Sequence, residues 1–407
     1  MSSGEQKSSF RWLVLVILFL NTFLIYLAIN CLPPLFKEIG EGMPLTKAQM
    51  GLIMGMLTVP AIIMSPLGGG LSDKIGARWT YGFCVLIIAI GAALRSAAGD
   101  AFFLVVCMAV LGIGMAAQAP NGIKAIAMWF PAGELAMVNG ARMMAAPLAL
   151  TVAMGTSAGI LSPLLGGWRN VMLALGGITF IGGIFWIILF RDRKVETTVE
   201  RKKQSMVDNF KKVLKVRDMR WAALYFAFGS LGITAVNALL PFTLSERGMT
   251  KAAAGAFVAI MTGANTICKI PGGLFSDKLG KRKPFIFICN IVMGICVITF
   301  SRLIGSSLMV SLALAGVAMA CLSPIFMAMV VEMNGIGPPL AGSAVGLLFM
   351  VGSVFGFLGP VLTGKIMDVA GTQWPGFLFM GLTFLGAACS VLPIAETGQK
   401  KSKVMQS

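Results

Sequence analysis

Apolar stretches of about 20 residues, the length that crosses the hydrocarbon core of a bilayer, follow one another along nearly the whole chain. We count twelve of them in the 407 residues. Charged side chains make up only 12% of the chain, against about 25% in soluble globular domains. The sequence therefore predicts an all-α integral membrane protein.

The predicted spans begin close to the N-terminus. The first one is too long for the apolar region of a signal peptide, and Pro33 and Pro34 end it without a small-residue cleavage site, so we expect it to remain as a helix. The spans are 12–35, 50–71, 79–98, 102–127, 137–163, 169–190, 221–243, 253–275, 284–302, 307–331, 341–364 and 374–394.

Positive charge indicates how these spans are oriented. Most of the 33 Lys and Arg residues fall on the side that holds the N-terminus, and cytoplasmic loops carry such an excess. We therefore expect both termini to be cytoplasmic. The compact loops and the absence of a disulfide framework suit a bacterial inner membrane.

Several functional classes are disfavoured by composition. The net charge of +17 lies mainly in loops beside the spans, where membrane lipid and insertion topology explain it, so no nucleic-acid partner is expected. The eight cysteines form no CxxC pair and histidine is absent, which argues against a metal site or a His-based catalytic site. No nucleophile motif or phosphate-binding loop is found. We expect neither an enzyme nor a cofactor.

An internal repeat divides the chain. GGLSDKIGAR at 69–78 and GLFSDKLGKR at 273–282 match at an offset of 204 residues, and the same offset places Pro120 on Pro324. Parallel repeats are common in transporter folds. The repeat predicts two six-helix bundles, 1–190 and 221–407, related by a pseudo-two-fold axis along the membrane normal. A basic cytoplasmic linker, 191–220, would join them.

The two repeated loops resemble the signature of the major facilitator superfamily, and the resemblance covers nearly the whole chain. It implies a transporter that alternates between inward- and outward-facing states. In that family the loop Asp and Arg form a cytoplasmic charge network that holds the outward-facing state. Turn formation alone would explain either loop singly, but two matching copies favour the functional interpretation. The gating candidates are Asp73, Arg78, Asp277, Arg282 and, at the inner end of the tenth span, Glu332.

Charged residues within the spans are costly and are functional candidates by default. Four cations qualify: Arg95, Lys124, Arg142 and Lys269. Lys269 lies eight residues before Asp277, about 12 Å deep at 1.5 Å per helical residue, which is near the bilayer midplane. The other three lie closer to span ends, where snorkelling or pairing with lipid phosphate or Glu134 explains them.

The surroundings of Lys269 narrow the resemblance. A cation at this position, followed by Pro271, is similar to the substrate-binding arginine of the oxalate:formate antiporter, monocarboxylate and nitrate/nitrite porter branches. AQAPNGIKAIAMWFP, at 117–131, also resembles these branches, which implies a small anionic substrate. Ser65 stands where nitrate porters carry a second arginine, and the eleventh span lacks the central lysine of the oxalate exchanger. A single buried cation favours a monocarboxylate, a zwitterion or a larger amphipathic acid.

Polar residues at mid-depth are the remaining candidates for substrate binding. Each of them would serve equally well in bonding a neighbouring helix. They are Asn21, Tyr26, Gln118, Asn121, Asn237, Asn265, Thr266 and Ser323.

The positions of the acidic residues indicate how transport would be driven. All 16 Asp and Glu residues fall in loops or at span ends, which favours anion exchange or facilitated diffusion over proton coupling. We expect the protein to be a monomer. Two alternatives stay open. One is a proton-driven exporter of drugs or amphiphiles, for which 155–163 partly matches an antiporter motif, and the other is a membrane sensor without flux.

Overall fold

A computed structural model describes residues 10–131, 134–192, 212–279, 281–333 and 335–397. Within these ranges the regular structure is helical and contains no strand. Within these ranges, side chains are not described at positions 61–63, 65–74, 117, 119, 136, 270, 272–279, 337–339 and 341.

The helices follow the predicted order of spans. They are α1 (Phe10–Asn30), α2 (Leu32–Gly42), α3 (Lys47–Met56), α4 (Thr58–Leu94), α5 (Ala101–Trp129), α6 (Leu135–Met143), α7 (Ala145–Thr156), α8 (Ser162–Leu165), α9 (Trp168–Leu189), α10 (Arg217–Glu246), α11 (Lys251–Leu279), α12 (Lys283–Phe300), α13 (Gly305–Val331), α14 (Gly337–Ala370) and α15 (Trp374–Val391). In the described part of the chain, 11 helical stretches are long and apolar enough to cross a membrane. The predicted span 50–71 runs into positions whose side chains are outside the description.

Two of these helical stretches contain breaks. Gly76 has a φ of +86° inside α4, a left-handed conformation that glycine adopts without the steric cost of a Cβ. A Cβ there would also overlap the carboxylate of Asp192. Between α7 and α8, Ser157–Leu161 forms a π-helical turn. The break at Gly76 separates the second predicted span from the third.

The chain packs as two compact units. The first contains Met1–Leu32 and Val59–Thr198, and the second contains Pro33–Thr58 and Val199–Ser407. The second unit thus includes α2 and α3, which the linear division at 190 and 221 assigns to the first bundle. The Nζ atom of Lys47 lies 3.1 Å from Oε2 of Glu246, an ion pair that joins α3 to α10 within this unit.

Aromatic side chains pack together in the core of each unit. In the first unit, Trp186 is fully buried, and its ring centroid lies 4.2 Å from that of Phe190 and 4.6 Å from that of Tyr81. In the second unit, the ring centroids of Tyr225 and Phe326 are 4.1 Å apart. Burial of such large apolar groups stabilises each helix bundle.

Candidate functional site

A cavity of about 290 Å³ lies inside the second unit, close to the lower end of the roughly 300–1,000 Å³ typical of small-molecule sites. Five helices, α10 to α13 and α15, supply its walls. The lining residues are Tyr225, Phe226, Gly229, Ser230, Ile233, Asn265, Lys269, Asn290, Met319, Leu322, Ser323, Phe326 and Phe384. Lys269 is the one charged side chain among them.

Lys269 places a cationic side chain at this cavity. Its side chain is half-buried and makes no hydrogen bond or ion pair within the described part of the chain. Asn265 lies four residues earlier on α11, so the two side chains share one helix face. Because a buried ammonium is stable only with a partner, the arrangement is suited to receiving an anion.

The cavity walls combine aromatic and polar groups. The rings of Phe226 and Phe326 lie 6.0 Å apart, and Phe349 packs edge-on against Phe226. Asn290 is 1% exposed. Its amide nitrogen donates to the carbonyl of Ile286 over 2.7 Å, which leaves its buried Oδ1 atom without a hydrogen-bond partner in the described structure. This oxygen can accept a hydrogen bond from a hydroxyl group of a solute.

The structure brings together three of the predicted substrate residues, Lys269, Asn265 and Ser323. Two other predicted residues of the second unit do not line the cavity. The hydroxyl group of Thr266 donates to the carbonyl of Thr262 over 2.8 Å, and Asn237 lies on α10 with its Oδ1 atom buried and unbonded in the described region.

The remaining predicted substrate residues belong to the first unit. Asn21 and Tyr26 lie on α1, and Gln118 and Asn121 lie on α5. Nδ2 of Asn21 donates to the carbonyl of Ile17 over 3.0 Å, and Nε2 of Gln118 contacts Oγ1 of Thr22 at 3.5 Å. Both side chains therefore bond helix groups, which is the structural alternative expected for intramembrane polar residues.

Two further intramembrane cations of the first unit have different environments. Arg95 is fully buried and donates to the carbonyl oxygens of Ala28 at 2.6 Å and Ala92 at 3.3 Å, so it is a structural residue that bonds protein and not lipid. The sequence suggested that Arg142 pairs with Glu134, but no such pair occurs among the described residues. The carboxylate of Glu134 instead lies 3.0 Å from the guanidinium of Arg11.

Among the gating candidates, Arg282 and Glu332 form a bidentate pair. Nε and Nη2 of Arg282 donate to the two carboxylate oxygens of Glu332 at 2.8 and 2.7 Å. The Nε atom of Arg78 donates to the carbonyl of Ile187 at 2.6 Å. The side chains of Asp73 and Asp277 lie outside the described residues, so their network stays a prediction.

Two carboxylates that contact these arginines were not among the residues predicted from the sequence. Oδ1 of Asp192 accepts from the backbone N–H of Arg78 over 3.1 Å, and Oε1 of Glu396 accepts from that of Arg282 over 2.8 Å. Asp192 and Glu396 are themselves 204 residues apart, the offset of the repeated loops. Each unit therefore carries its own copy of this contact, and the repeat was the signal that could have revealed it.

Comparison with known proteins identifies the family to which the chain belongs. The sequence profile of the Major Facilitator Superfamily matches residues 18–267 and 222–406. The chain belongs to this superfamily. Membership confirms the predicted fold class, an all-α membrane protein of two six-helix bundles, and the prediction that the chain is not an enzyme. It is a multi-pass integral membrane protein.

Relatives with similar sequences are transporters of acidic solutes by name. A hexuronate transporter of Bacillus subtilis is 24% identical over 400 residues, which cover 93% of each chain. A probable sulfoacetate transporter of Cupriavidus necator is 24% identical over 416 residues, covering 95% of this chain and 94% of the relative. A probable nitrate transporter of Staphylococcus carnosus is 25% identical over 379 residues, covering 87% and 88%.

Solved structures show the same fold at lower identity. A bacterial homologue of the human lysosomal transporter Spinster, inward-facing and occupied, superposes with a TM-score of 0.81 at 16% identity, covering 95% of this chain and 97% of that one. A D-xylose–proton symporter gives a TM-score of 0.78 at 14% identity, covering 96% and 99%. These similarities establish the fold alone.

Proposed function

We propose that this protein is a secondary transporter that moves a small organic anion across the membrane by alternating access, with Lys269 as the counter-charge of the anion. The observation that carries the proposal is the ammonium group of Lys269, which lines the cavity of the second unit and has no partner among the described residues. An ammonium acts on a carboxylate as a point charge with three donors. The names of the relatives support an anionic substrate.

The favoured substrate class is a monocarboxylate whose body carries hydroxyl groups. One ammonium balances one negative charge, while Asn265, Ser323 and the free oxygen of Asn290 offer hydrogen bonds to hydroxyls. The rings of Tyr225 and Phe326 supply an apolar face against which a carbon skeleton packs. Hexuronates, the solutes that the name of the Bacillus subtilis relative gives, have one carboxylate and several hydroxyls.

Anion exchange is the favoured form of energy coupling. None of the described residues that line the cavity is acidic, which argues against a cavity carboxylate as the proton carrier. Glu332, the deepest acid in the sequence, is engaged by Arg282. Return of the loaded carrier with a second anion would keep Lys269 neutralised in both directions.

The cellular setting is a further part of the proposal. We propose a bacterial inner membrane, both termini in the cytoplasm, a monomeric state, and anionic lipid headgroups beside the basic loops. The excess of basic residues, 33 against 16 acidic ones, supports the proposed orientation and the lipid contacts.

Uptake by the purified protein in proteoliposomes tests the proposed function. The panel contains D-glucuronate, lactate, sulfoacetate, tartrate and nitrate, each measured with and without internal anion and with and without a pH gradient. We expect D-glucuronate or lactate to enter, and internal anion to accelerate entry.

Two outcomes would replace this proposal. Flux that requires the pH gradient and disappears in Glu332→Gln would favour the proton-driven exporter. Absence of flux for every anion, from a folded protein, would favour a membrane sensor.

A further inference from the structure

Helices α12 and α13 of the second unit form an antiparallel hairpin that carries a pair of facing cysteines. The thiol of Cys289 on α12 and the thiol of Cys321 on α13 approach each other as hydrogen-bonding partners. Both are free cysteines, and both side chains are half-buried. The two residues are far apart in sequence, so the fold of the hairpin is what brings their thiols together.

The register of the hairpin is the same on either side of this thiol pair. Nearer the turn, the side chain of Cys296 on α12 lies within hydrogen-bonding reach of Ser311 on α13. Farther from the turn, Ile286 of α12 and Ile325 of α13 are buried in one apolar cluster. The two thiols lie between these levels on both helices. Their contact is therefore part of the regular packing of α12 against α13.

The thiol pair adjoins the cavity that contains Lys269. Asn290 and Leu322, the residues that directly follow the two cysteines in the sequence, both line that cavity. Cys289 also lies within electrostatic range of Tyr225, another lining residue. A change in the spacing of α12 and α13 at this level would therefore move the wall of the cavity.

Two thiols in contact can be oxidised together to a disulfide. One thiol reacts with hydrogen peroxide to give a sulfenic acid and one water molecule. The other thiol then attacks the sulfenic sulfur, which forms the S–S bond and releases a second water. The thiols lose two hydrogen atoms and two electrons in all, and the peroxide accepts them. An added dithiol reverses the oxidation by thiol–disulfide exchange.

We propose that Cys289 and Cys321 are a site of reversible oxidation by hydrogen peroxide, and that the resulting disulfide draws α12 towards α13 and restricts the cavity of the second unit. Redox-sensing cysteines often lie next to a second, resolving cysteine, and disulfides inside cells are usually transient ones of this kind. The modification does not depend on the proposed function, whereas its effect on flux rests on it.

Peptide mapping of the full-length protein in proteoliposomes tests the site. The protein is treated with hydrogen peroxide, the remaining thiols are blocked with N-ethylmaleimide, and peptides are identified by mass spectrometry with and without dithiothreitol. The variants are Cys289→Ser and Cys321→Ser. Cys296→Ser is the matched control, because Cys296 lies on the same helix as Cys289 but faces a serine, Ser311.

We expect a cross-link, sensitive to dithiothreitol, between the peptides that contain Cys289 and Cys321. It should form in the wild type and in Cys296→Ser. Uptake of the anion that the wild type transports best is measured in the same vesicles. Peroxide should abolish most of the wild-type uptake and dithiothreitol should restore it, whereas Cys289→Ser should keep its uptake after peroxide. The wild-type cross-link is decisive even if a variant does not fold.

Absence of the cross-link from peroxide-treated wild type would overturn the proposal, and so would pairing of either cysteine with a different one. A complete cross-link that leaves uptake unchanged would refute the effect on the cavity. A cross-link in a wild type that transports none of the tested anions would confirm the redox site and contradict the proposed function, so the two proposals fail separately.

Discussion

At the scale of single residues, the hydrogen bonds that an intramembrane cation makes indicate whether its role is structural or functional. Arg95 is satisfied by backbone carbonyls of Ala28 and Ala92, and its role is to hold two segments of the first unit together. Lys269 and Arg142 have no such partners in the described parts of the chain. Because a partly buried charge without a partner is costly, the proposed function expects an anionic solute to stabilise Lys269.

Adjacent residues on α11 allow a matched test of the cavity. Asn265 lines it, whereas the hydroxyl of Thr266 donates to Thr262 of its own helix. We expect Asn265→Leu to raise the KM for the transported anion by about tenfold, through loss of one hydrogen bond to the solute. Thr266→Val should change KM by less than about twofold. Concentration-dependent uptake in proteoliposomes measures both, and equal effects would place the solute elsewhere.

Depth along a helix could be predicted from the sequence, but rotation about the helix axis could not. Counting back from Asp277 identified Lys269, and with it Asn265 on the same face. Asn290 and Tyr225 were missed, because which face of α10 and α12 meets the cavity depends on packing against α13. Arg142 was assigned to the membrane surface from its distance to the loop, yet contact with Gly122 buries it.

At the scale of elements, α3 and α14 approach each other at backbone distance inside the second unit. A Cβ at Gly51 would overlap the carbonyl oxygen of Pro360. The carboxylate of Asp368 accepts hydrogen bonds from the backbone N–H groups of Lys47, at 3.1 Å, and Ala48, at 2.8 Å, and so caps the start of α3. The spans themselves were predictable from hydropathy, but this pairing of α3 with α14 arises from tertiary contacts.

Substitution at Gly51 tests that contact. Gly51→Ala forces the two backbones apart, and overpacking of this kind costs about 1–3 kcal/mol. We expect the melting temperature of the detergent-solubilised protein to fall by several degrees. Gly40→Ala on α2 is the control, since a Cβ there meets no atom within 4 Å, and its melting temperature should not fall. A similar fall in both variants would contradict the close approach.

At the scale of the whole molecule, the internal repeat extends beyond the two loops that first revealed it. Asp192 and Glu396 hold the backbone of Arg78 and Arg282 in their respective units. The same hydrogen bond between a carboxylate and an arginine backbone N–H therefore occurs once in each half of the chain, as expected for duplicated bundles. Lys269 has no charged counterpart at Ser65, so the halves differ in chemistry while they share architecture.

Membrane orientation is a prediction that applies to the whole chain. Positive loops should be cytoplasmic, so a cysteine placed at Gly99, between the third and fourth predicted spans, should be external. A cysteine at Lys212, in the basic linker, should be internal. We expect a membrane-impermeant maleimide to label Gly99→Cys in intact cells, and Lys212→Cys only after permeabilisation. The unmodified protein measures labelling of the native cysteines, and the reverse pattern would invert the assigned topology.

The central claim, that Lys269 neutralises the transported anion, is tested most directly by uptake in proteoliposomes containing the wild type, Lys269→Met or Lys269→Arg. For the anion that the wild type transports best, we predict a loss of about a hundredfold in uptake rate for Lys269→Met. Lys269→Arg should retain measurable uptake, because the charge is kept. Wild-type uptake by a correctly folded Lys269→Met protein would contradict the account.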